Sequence, residues 1–564
     1  MKRATHTGRE CATAFSIWFG AFVHILWSKP RLIRHPRRPM AQRIPKCARN
    51  GTVPTRYGIL WHNKNNPIRE PPMFKPKSLL LVFLWFAVLA TIVWILLIMR
   101  GAVGWGGTSL PDKALSTNTI EGRFPDFCAP MVRTPLATWL LTYREDDNAA
   151  PTWNAGTSAL SLETLLPPAK ARTSDDSSFA AYLPKDTHWS TLISKLDTSG
   201  TIRPVAIVHD IACLHATPDG STAYLLTNID NPLKPASDDA DARTSQTIVF
   251  RTEDQGSHWT WMKNGFFPAA AWQASELQPY FYKGREAWAW SNVGKLALLP
   301  SAVRAGGDAL QSAMQLYHSS DGGDTVQTIK PSAPLLVSRD DASSHFPANA
   351  QFDVGGDLDD AKGFVVQLRD NRAVAWISQS FYYGVPDSHY GTLFPILTQV
   401  ELRREGENWI MGPVKRTEGA TLDHVVHTPD GQIYAVMERA HAPDAVARFD
   451  VPSLSWQTLA PPNNPFWPFP SRTDIRNMWA SDAHLLIATR SSYSVPRWVY
   501  PFGYDNAHVY GEAYYASGDR GQHWTRVKDV GLPLAIDAST ESLLSASTAD
   551  WSEPSAIRAH QLGK

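Results

Sequence analysis

Residues 514–527 read YYASGDRGQHWTRV, with two adjacent tyrosines, a polar segment that contains glycine, and a tryptophan. The order predicts a tight β-hairpin in which the two tyrosines end one strand and Trp524 begins the next. Ser517 and Asp519 carry short side-chain oxygens, which accept hydrogen bonds from the N–H groups of a turn. Gly521 allows a positive φ without a Cβ clash. The stretch therefore predicts two strands joined by a turn that its own side chains stabilise.

The same spacing occurs twice more in the chain. The further copies contain Thr252, Asp254, Gly256 and Trp259 in one segment, and Ser319, Asp321 and Gly323 in the other. A strand that follows such a turn recurs between Trp189 and Trp524, 335 residues apart, in five steps with a mean of 67 residues. Self-similarity at a fixed period indicates a repeat architecture. Four short strands per repeat, with glycine and aromatic residues between them, are typical of propeller blades.

The three Ser/Thr-x-Asp-x-Gly segments resemble the Asp-box, or BNR, repeat of sialidase-like β-propellers. The resemblance implies an all-β fold made of four-stranded blades. Counting strands predicts seven blades, with six as the alternative. The C-terminal segment from Leu534 to Gln561 supplies three strands and no fourth. We therefore expect a segment near the start of the propeller, ATWLLTY at 137–143, to close the ring and remove an exposed sheet edge.

Catalytic residues do not follow from this resemblance. Sialidases use three arginines, a Tyr–Glu pair and an aspartic acid, and their first arginine belongs to an Arg-Ile-Pro motif. Here Arg43-Ile44-Pro45 lies on the other side of an apolar run from the propeller, and the remaining set has no match residue by residue. We predict that the protein is not an enzyme. The alternative is a glycoside hydrolase or glycan-binding protein, in which Asp387, Asp474 and Asp505 are candidate acids.

The region before the propeller contains an uncharged run from Ser78 to Met99, SLLLVFLWFAVLATIVWILLIM. At the helical rise its 22 residues extend about 33 Å, close to the thickness of a bilayer hydrocarbon core. We predict four parts: a basic, disordered segment at 1–77, a transmembrane helix at 78–99, a linker at 100–130 and the propeller at 131–564. Two alternatives stay open, a second span at 12–27 and a true start at Met73.

Charge predicts the orientation of this helix. Residues 1–77 carry 16 Lys and Arg against two acids, whereas residues 101–564 carry 37 against 51. The positive-inside rule then assigns the N-terminal segment to the cytoplasm and the propeller to the opposite side of the membrane. In a bacterium, this corresponds to the inner membrane with the propeller in the periplasm. The acidic ectodomain argues against nucleic acid as a partner, because binding it requires a basic surface.

Four cysteines fall into two pairs. Cys128 and Cys213 follow the apolar run, and in an oxidising compartment they would form a disulfide. Two buried free thiols are the alternative. The acidic run 353–360 lacks the spacing of an EF-hand, and we expect no metal and no cofactor.

Several predicted loops are long and rich in aromatic residues. They begin near Phe266, Ser380, Pro461 and Ser492, and in a propeller they emerge opposite the Ser/Thr-x-Asp-x-Gly turns. Long loops on a rigid scaffold commonly bear recognition sites, and Tyr, Trp and Arg dominate interface energetics. The predicted binding residues are Tyr382, Tyr390, Trp467, Arg497, Trp498, Tyr500 and Tyr504. We predict a membrane-tethered protein that binds a protein partner, as an assembly factor or immunity-like protein.

Overall fold

The computed structural model contains a seven-bladed β-propeller. It describes residues 76–103, 106–125, 128–145, 159–166, 189–208, 211–230, 245–262, 279–290, 315–346, 350–352, 360–384, 392–440, 442–463, 466, 471–494, 508–548 and 553–562. The predicted all-β class and the count of seven blades are confirmed. The basic segment 1–77 lies almost entirely outside the described residues.

Helix α1 spans Pro76–Val103 and precedes the propeller. Its described side chains are those of residue 82 and residues 84–98. Within the described part of the chain, no helix combines the length and the apolar character that crossing a membrane requires. A short second helix, α2, spans Arg339–Ser343 between blades 3 and 4.

Two short strands follow α1, namely β1 (Thr108–Ser109) and β2 (Asp112–Ala114). Blade 1 contains β3 (Met131–Arg133), β4 (Thr138–Glu145), β6 (Trp189–Leu196) and β7 (Ile202–Val208), with β5 (Leu160–Ser161) paired to β7. Blade 2 contains β8 (Ala212–Ala216), β9 (Ala223–Asp230), β10 (Ser245–Thr252) and β11 (Thr260–Trp261). Blade 3 contains β12 (Tyr280–Phe281), β13 (Ala287–Trp290), β14 (Leu316–Ser319) and β15 (Gln327–Ile329).

Blade 4 contains β17 (Asp360–Arg369), β18 (Arg372–Gly384), β19 (Thr392–Glu405) and β20 (Asn408–Glu418), with β16 (Gln351–Phe352) paired to β18. Blade 5 contains β21 (Ala420–His427), β22 (Ile433–Arg439), β23 (Ala442–Asp450) and β24 (Ser455–Thr458). Blade 6 contains β25 (Arg472–Ala480), β26 (Leu485–Ser494), β27 (His508–Ser517) and β28 (Thr525–Lys528). Blade 7 contains β29 (Leu532–Asp537), β30 (Ser542–Ala546) and β31 (Ile557–Gln561).

Strand β2 closes the ring, because it pairs antiparallel with β31 as the fourth strand of blade 7. The expectation that ATWLLTY closes the ring is wrong, since this segment forms β4, the second strand of blade 1. Three exposed residues, DKA, suffice as an outer strand, because an edge strand contributes backbone pairing and little apolar burial. On the inner side, the Arg133 guanidinium lies 2.6 Å from the Asp537 carboxylate and joins blade 1 to blade 7.

The hydrophobic core is divided among the interfaces between blades. One cluster joins Trp139 of blade 1 to Phe250 of blade 2, and another joins Trp376 of blade 4 to Ile433 of blade 5. Equivalent clusters lie at the other interfaces, including that between blades 7 and 1. Each blade therefore buries both of its faces against neighbours, which is how stacked small sheets build a continuous core.

Candidate functional site

The strand order gives the propeller two different faces. Connections between the first and second strands and between the third and fourth strands lie on one face, which we call the turn face. Connections between the second and third strands, and those between blades, lie on the opposite face, which we call the loop face. On the turn face, connections range from two residues, at 370–371, to seven, at 253–259. The strands that flank the long connections, such as 291–315 and 495–507, all end at the loop face.

The Ser/Thr-x-Asp-x-Gly segments form three equivalent turns on the turn face, each between the third and fourth strands of a blade. The first hydroxyl accepts a hydrogen bond from the glycine N–H, at 2.8 Å for Thr252 and Gly256, 2.7 Å for Ser319 and Gly323, and 2.8 Å for Ser517 and Gly521. The aspartate accepts one from the N–H four residues later, at 2.8 Å for Asp254, 2.9 Å for Asp321 and 2.9 Å for Asp519. These residues stabilise turns.

The glycine of such a turn also approaches the preceding blade closely. A Cβ on Gly256 would lie 2.8 Å from the Trp139 ring, and a Cβ on Gly521 would lie 2.5 Å from the Leu459 side chain. Trp259 is buried, with its ring centroid 6.1 Å from that of Trp139. The turns therefore contribute to packing between blades.

The strands that flank the predicted aromatic connections all end at the loop face. Tyr382, near the end of β18, is exposed at 38%. The other predicted binding residues lie outside the described residues, and they are Tyr390, Trp467, Arg497, Trp498, Tyr500 and Tyr504. Their connections join β18 to β19, β24 to β25, and β26 to β27. The fourth aromatic connection, between β11 and β12, belongs to the same face.

A group of ionisable residues, which sequence reasoning largely missed, lies where blades 4, 5 and 6 meet at the loop face. We call Asp423, Glu438, Asp444 and Asp474 the inner carboxylate cluster. Asp423 and Asp474 lie near the starts of β21 and β25, and Glu438 and Asp444 face them from β22 and β23. Among these four residues, only Asp474 is a candidate acid from the sequence. Asp387 and Asp505 lie outside the described residues.

Specific contacts hold this cluster. The Lys362 ammonium lies 3.2 Å from one oxygen of Asp423, and His424 Nε2 lies 3.2 Å from the other. The backbone N–H of Ile475 donates to Asp444 Oδ2 at 2.8 Å, which links blade 5 to blade 6. The Arg472 guanidinium lies 3.0 Å from Asp474.

The backbone at the cluster is strained. His424 has a φ of 48°, and among the described residues it is the one non-glycine residue inside a strand with a positive φ. The register between β21 and β22 shifts between Asp423 and Val426, which is a β-bulge. Such a conformation costs about 1–3 kcal/mol and is concentrated at functional sites. Bulges also redirect side chains beside binding sites.

The carboxyl groups of the cluster differ in their proton affinity. Burial, together with the charges of Asp474 and Glu438, raises the pKa of Asp444 to about 6. Burial and the charge of Asp423 also raise the pKa of Glu438. Burial would raise the pKa of Asp423 too, but the charges of His424 and Lys362 outweigh it and lower that pKa. Asp444 and Glu438 therefore retain a proton to higher pH than Asp423 does, and a difference in pKa between carboxyl groups is what general acid–base pairs use.

The described residues contain no group of His, Cys, Asp and Glu suited to hold a metal ion. Most of the acidic run 353–360 lies outside them. Cys128 and Cys213 form a disulfide, which joins the segment before β3 to the first strand of blade 2.

Comparison with known proteins finds only distant structural similarity. Neither the protein-family models nor the curated proteins give a match. The chain is similar to the GH93 α-L-arabinofuranosidase of Fusarium graminearum, at 10% identity and a TM-score of 0.30, over 71% of this chain and 98% of that enzyme. It is also similar to an endo-arabinase from Bacteroides thetaiotaomicron, at 8% identity and a TM-score of 0.25, over 61% and 98%. The chain is also similar to TolB from Acinetobacter baumannii, at 10% identity and a TM-score of 0.25, over 54% of this chain and 57% of TolB.

Proposed function

We propose that this protein is a membrane-tethered, extracytoplasmic binding protein that engages a protein partner through its loop face. The observation that carries this proposal is the asymmetry of the propeller, since short turns occupy one face and the long, aromatic connections occupy the other. The role we propose for it is that of an assembly factor or an immunity-like protein. We also propose that the three turns mark kinship with Asp-box propellers.

The tether in this proposal is the run Ser78–Met99, oriented with residues 1–77 in the cytoplasm. Its support is the absence of charge in that run and the opposite charge balance of its two flanks. Exposed apolar side chains along α1, such as Trp85 at 72% and Phe86 at 66%, agree with a lipid-facing helix. The disulfide Cys128–Cys213 supports an oxidising compartment, such as the periplasm.

Site-specific photocrosslinking in intact membranes tests the proposed surface. A photoreactive amino acid is placed at Tyr382 on the loop face, and in a matched control at Gln522 on the turn face. We expect a discrete protein adduct from position 382 and none from position 522. Equal labelling from both positions, or adducts with lipid and nucleic acid alone, would contradict the proposal.

A second candidate is a sialidase-like glycoside hydrolase or glycan-binding protein. The inner carboxylate cluster favours it, because Asp444 is protonated up to about pH 6 while the pKa of Asp423 is lowered. Release of sugar from chromogenic glycosides by the full chain tests this candidate. If it is an enzyme, Asp444→Asn and Asp423→Asn should each abolish release, whereas Asp430→Asn on the turn face should not. Release that all three variants retain would exclude the cluster as a catalytic site.

A further inference from the structure

The propeller covers one side of α1. Ile98 is buried together with Phe466 and Tyr493, and Trp94 and Val509 pack against this cluster. The described side chains of residues 84–90 are all exposed, whereas burial begins at residue 91. Positions 91, 94, 95 and 98 are at least partly covered and follow the spacing of one helix face. The C-terminal part of α1 is therefore seated on the propeller, and we call Phe466, Tyr493 and Val509 the α1 seat.

The α1 seat belongs to the loop face. Phe466 lies in the connection between β24 and β25, Tyr493 near the end of β26, and Val509 near the start of β27. These strand ends all point away from the turn face. The connection from α1 to the propeller is also short, since α1 ends at Val103 and β1 begins at Thr108. Because α1 packs against the propeller along one side and is joined to β1 by a short connection, its C-terminal end lies close to the loop face.

The length of the apolar run fixes where the seat lies along the membrane normal. A bilayer core is about 30 Å thick, and a helix rises about 1.5 Å per residue, so that a span needs about 20 residues. Ser78–Met99 contains 22 residues, and the seated residues Trp94 and Ile98 are among its last six. If this run spans the bilayer, the α1 seat is level with the outer boundary of the hydrocarbon core.

We propose that the loop face around the α1 seat is a membrane-contact surface whose occupant is the outer leaflet of the bilayer. This inference rests on the proposed tether. Phe466 and Tyr493 are buried against α1, so the seat sets the depth of the loop face and does not itself meet lipid. Beside it on β27, Tyr510 is 49% exposed, and Tyr is enriched where hydrocarbon meets headgroups. The propeller is then held against the membrane with its turn face outward. A protein partner that binds the loop face would therefore bind beside the bilayer surface.

The two ends of strand β27 provide the test. His508 begins β27 at the loop face, and Gln522 follows it at the turn face, and both are exposed. The full chain, with Cys11 and Cys47 replaced by serine, receives His508→Cys or Gln522→Cys and an environment-sensitive fluorophore. It is reconstituted in vesicles of phosphatidylethanolamine and phosphatidylglycerol. We expect lipid-borne spin labels to quench the label at 508 severalfold more than the label at 522, and aqueous iodide to show the reverse preference.

Two outcomes would overturn the inference, and they are distinguishable. If alkaline carbonate releases the full chain from membranes, the tether itself is wrong. If the chain resists carbonate while iodide reaches both labels equally, the tether stands and the contact surface is wrong. The seat has its own check in a cysteine pair, Ile98→Cys with Phe466→Cys, which should cross-link under mild oxidation. The matched pair of Val93→Cys, on an exposed side of α1, with Phe466→Cys should not.

Discussion

The turn face and the loop face of this propeller use aspartate in opposite ways. On the turn face, Asp519 receives hydrogen bonds from backbone N–H groups, and the bond from His523 is the main reason that its pKa falls to about 2. On the loop face, Asp444 is half-buried beside other carboxylates, and its pKa rises to about 6. The residue type is the same, and its surroundings decide whether the charge stabilises the fold. The turn-face carboxylate thus adds to stability at neutral pH, whereas ionisation of the loop-face carboxylate costs stability.

Among the substitutions considered, we expect the largest loss of unfolding free energy at a turn-face glycine. Gly256 has a φ of 86°, and a Cβ there would meet the buried Trp139 ring at 2.8 Å. Gly256→Ala should therefore cost about 2–4 kcal/mol of unfolding free energy, from left-handed strain together with overpacking. Gly431 has a φ of 85° with nothing near its Cβ position, so Gly431→Ala should cost only about 1 kcal/mol. Urea denaturation measures both, and equal losses would refute the role of close packing.

Removal of a turn carboxylate should have the next largest effect. Asp519 accepts hydrogen bonds from the N–H groups of His523 and Gln522 and from the Ser517 hydroxyl. Asp519→Ala should cost about 1–2 kcal/mol near pH 7. Because the folded pKa lies below the unfolded value of about 3.9, this stabilisation is present above pH 4 and is lost as the pH falls toward 2. The stability difference between wild type and variant should shrink over that window, and a constant difference would contradict the assignment.

The sequence predicts the turn face well, because its determinants are local. A hydroxyl, a carboxylate and a glycine at fixed spacing are sufficient for each of the three turns, and their recurrence predicts a propeller, whose seven blades follow from counting strands. Closure of the ring is less predictable, since β2 contains three exposed residues, Asp112–Ala114, without an apolar pattern. Its place depends on pairing with β31, more than 400 residues later in the chain.

The sequence did not predict the inner carboxylate cluster either, because this cluster also depends on contacts between residues that are distant in the chain. Its members come from two blades, and a lysine from a third blade, Lys362, completes the contacts. No short segment contains the cluster, and each acid alone resembles an ordinary polar residue at a strand end. One weak signal was present, since Asp423 and Asp474 both fall near the start of the first strand in consecutive blades. Only the three-dimensional arrangement shows that these positions face each other.

The loop-face acid should respond to pH in the opposite direction from Asp519. Because the folded pKa of Asp444, about 6, lies above the unfolded value of about 3.9, the fold loses stability as the pH rises through this window. Asp444→Asn keeps an acceptor for the Ile475 N–H and cannot ionise. The variant should match wild type at pH 4 and exceed its stability by about 1 kcal/mol at pH 8, after allowance for solvent screening. Thermal unfolding at both pH values measures this stability difference. A variant less stable than wild type at pH 8 would contradict the raised pKa of Asp444.

The smallest effect on stability is expected at the exposed aromatic surface of the loop face. Tyr382 is 38% exposed near the end of β18, so Tyr382→Thr, which retains β propensity, should change the unfolding free energy by less than about 0.5 kcal/mol. If the loop face binds the proposed partner, the same variant should weaken that complex about tenfold, since exposed tyrosines dominate interface energetics. Ile410, 46% exposed on the outer strand of the same blade near the turn face, supplies the matched control. Co-purification of the partner with the full chain measures both variants: Ile410→Thr should leave the yield of the partner unchanged, and a loss equal to that of Tyr382→Thr would mean that the two faces do not differ in recognition.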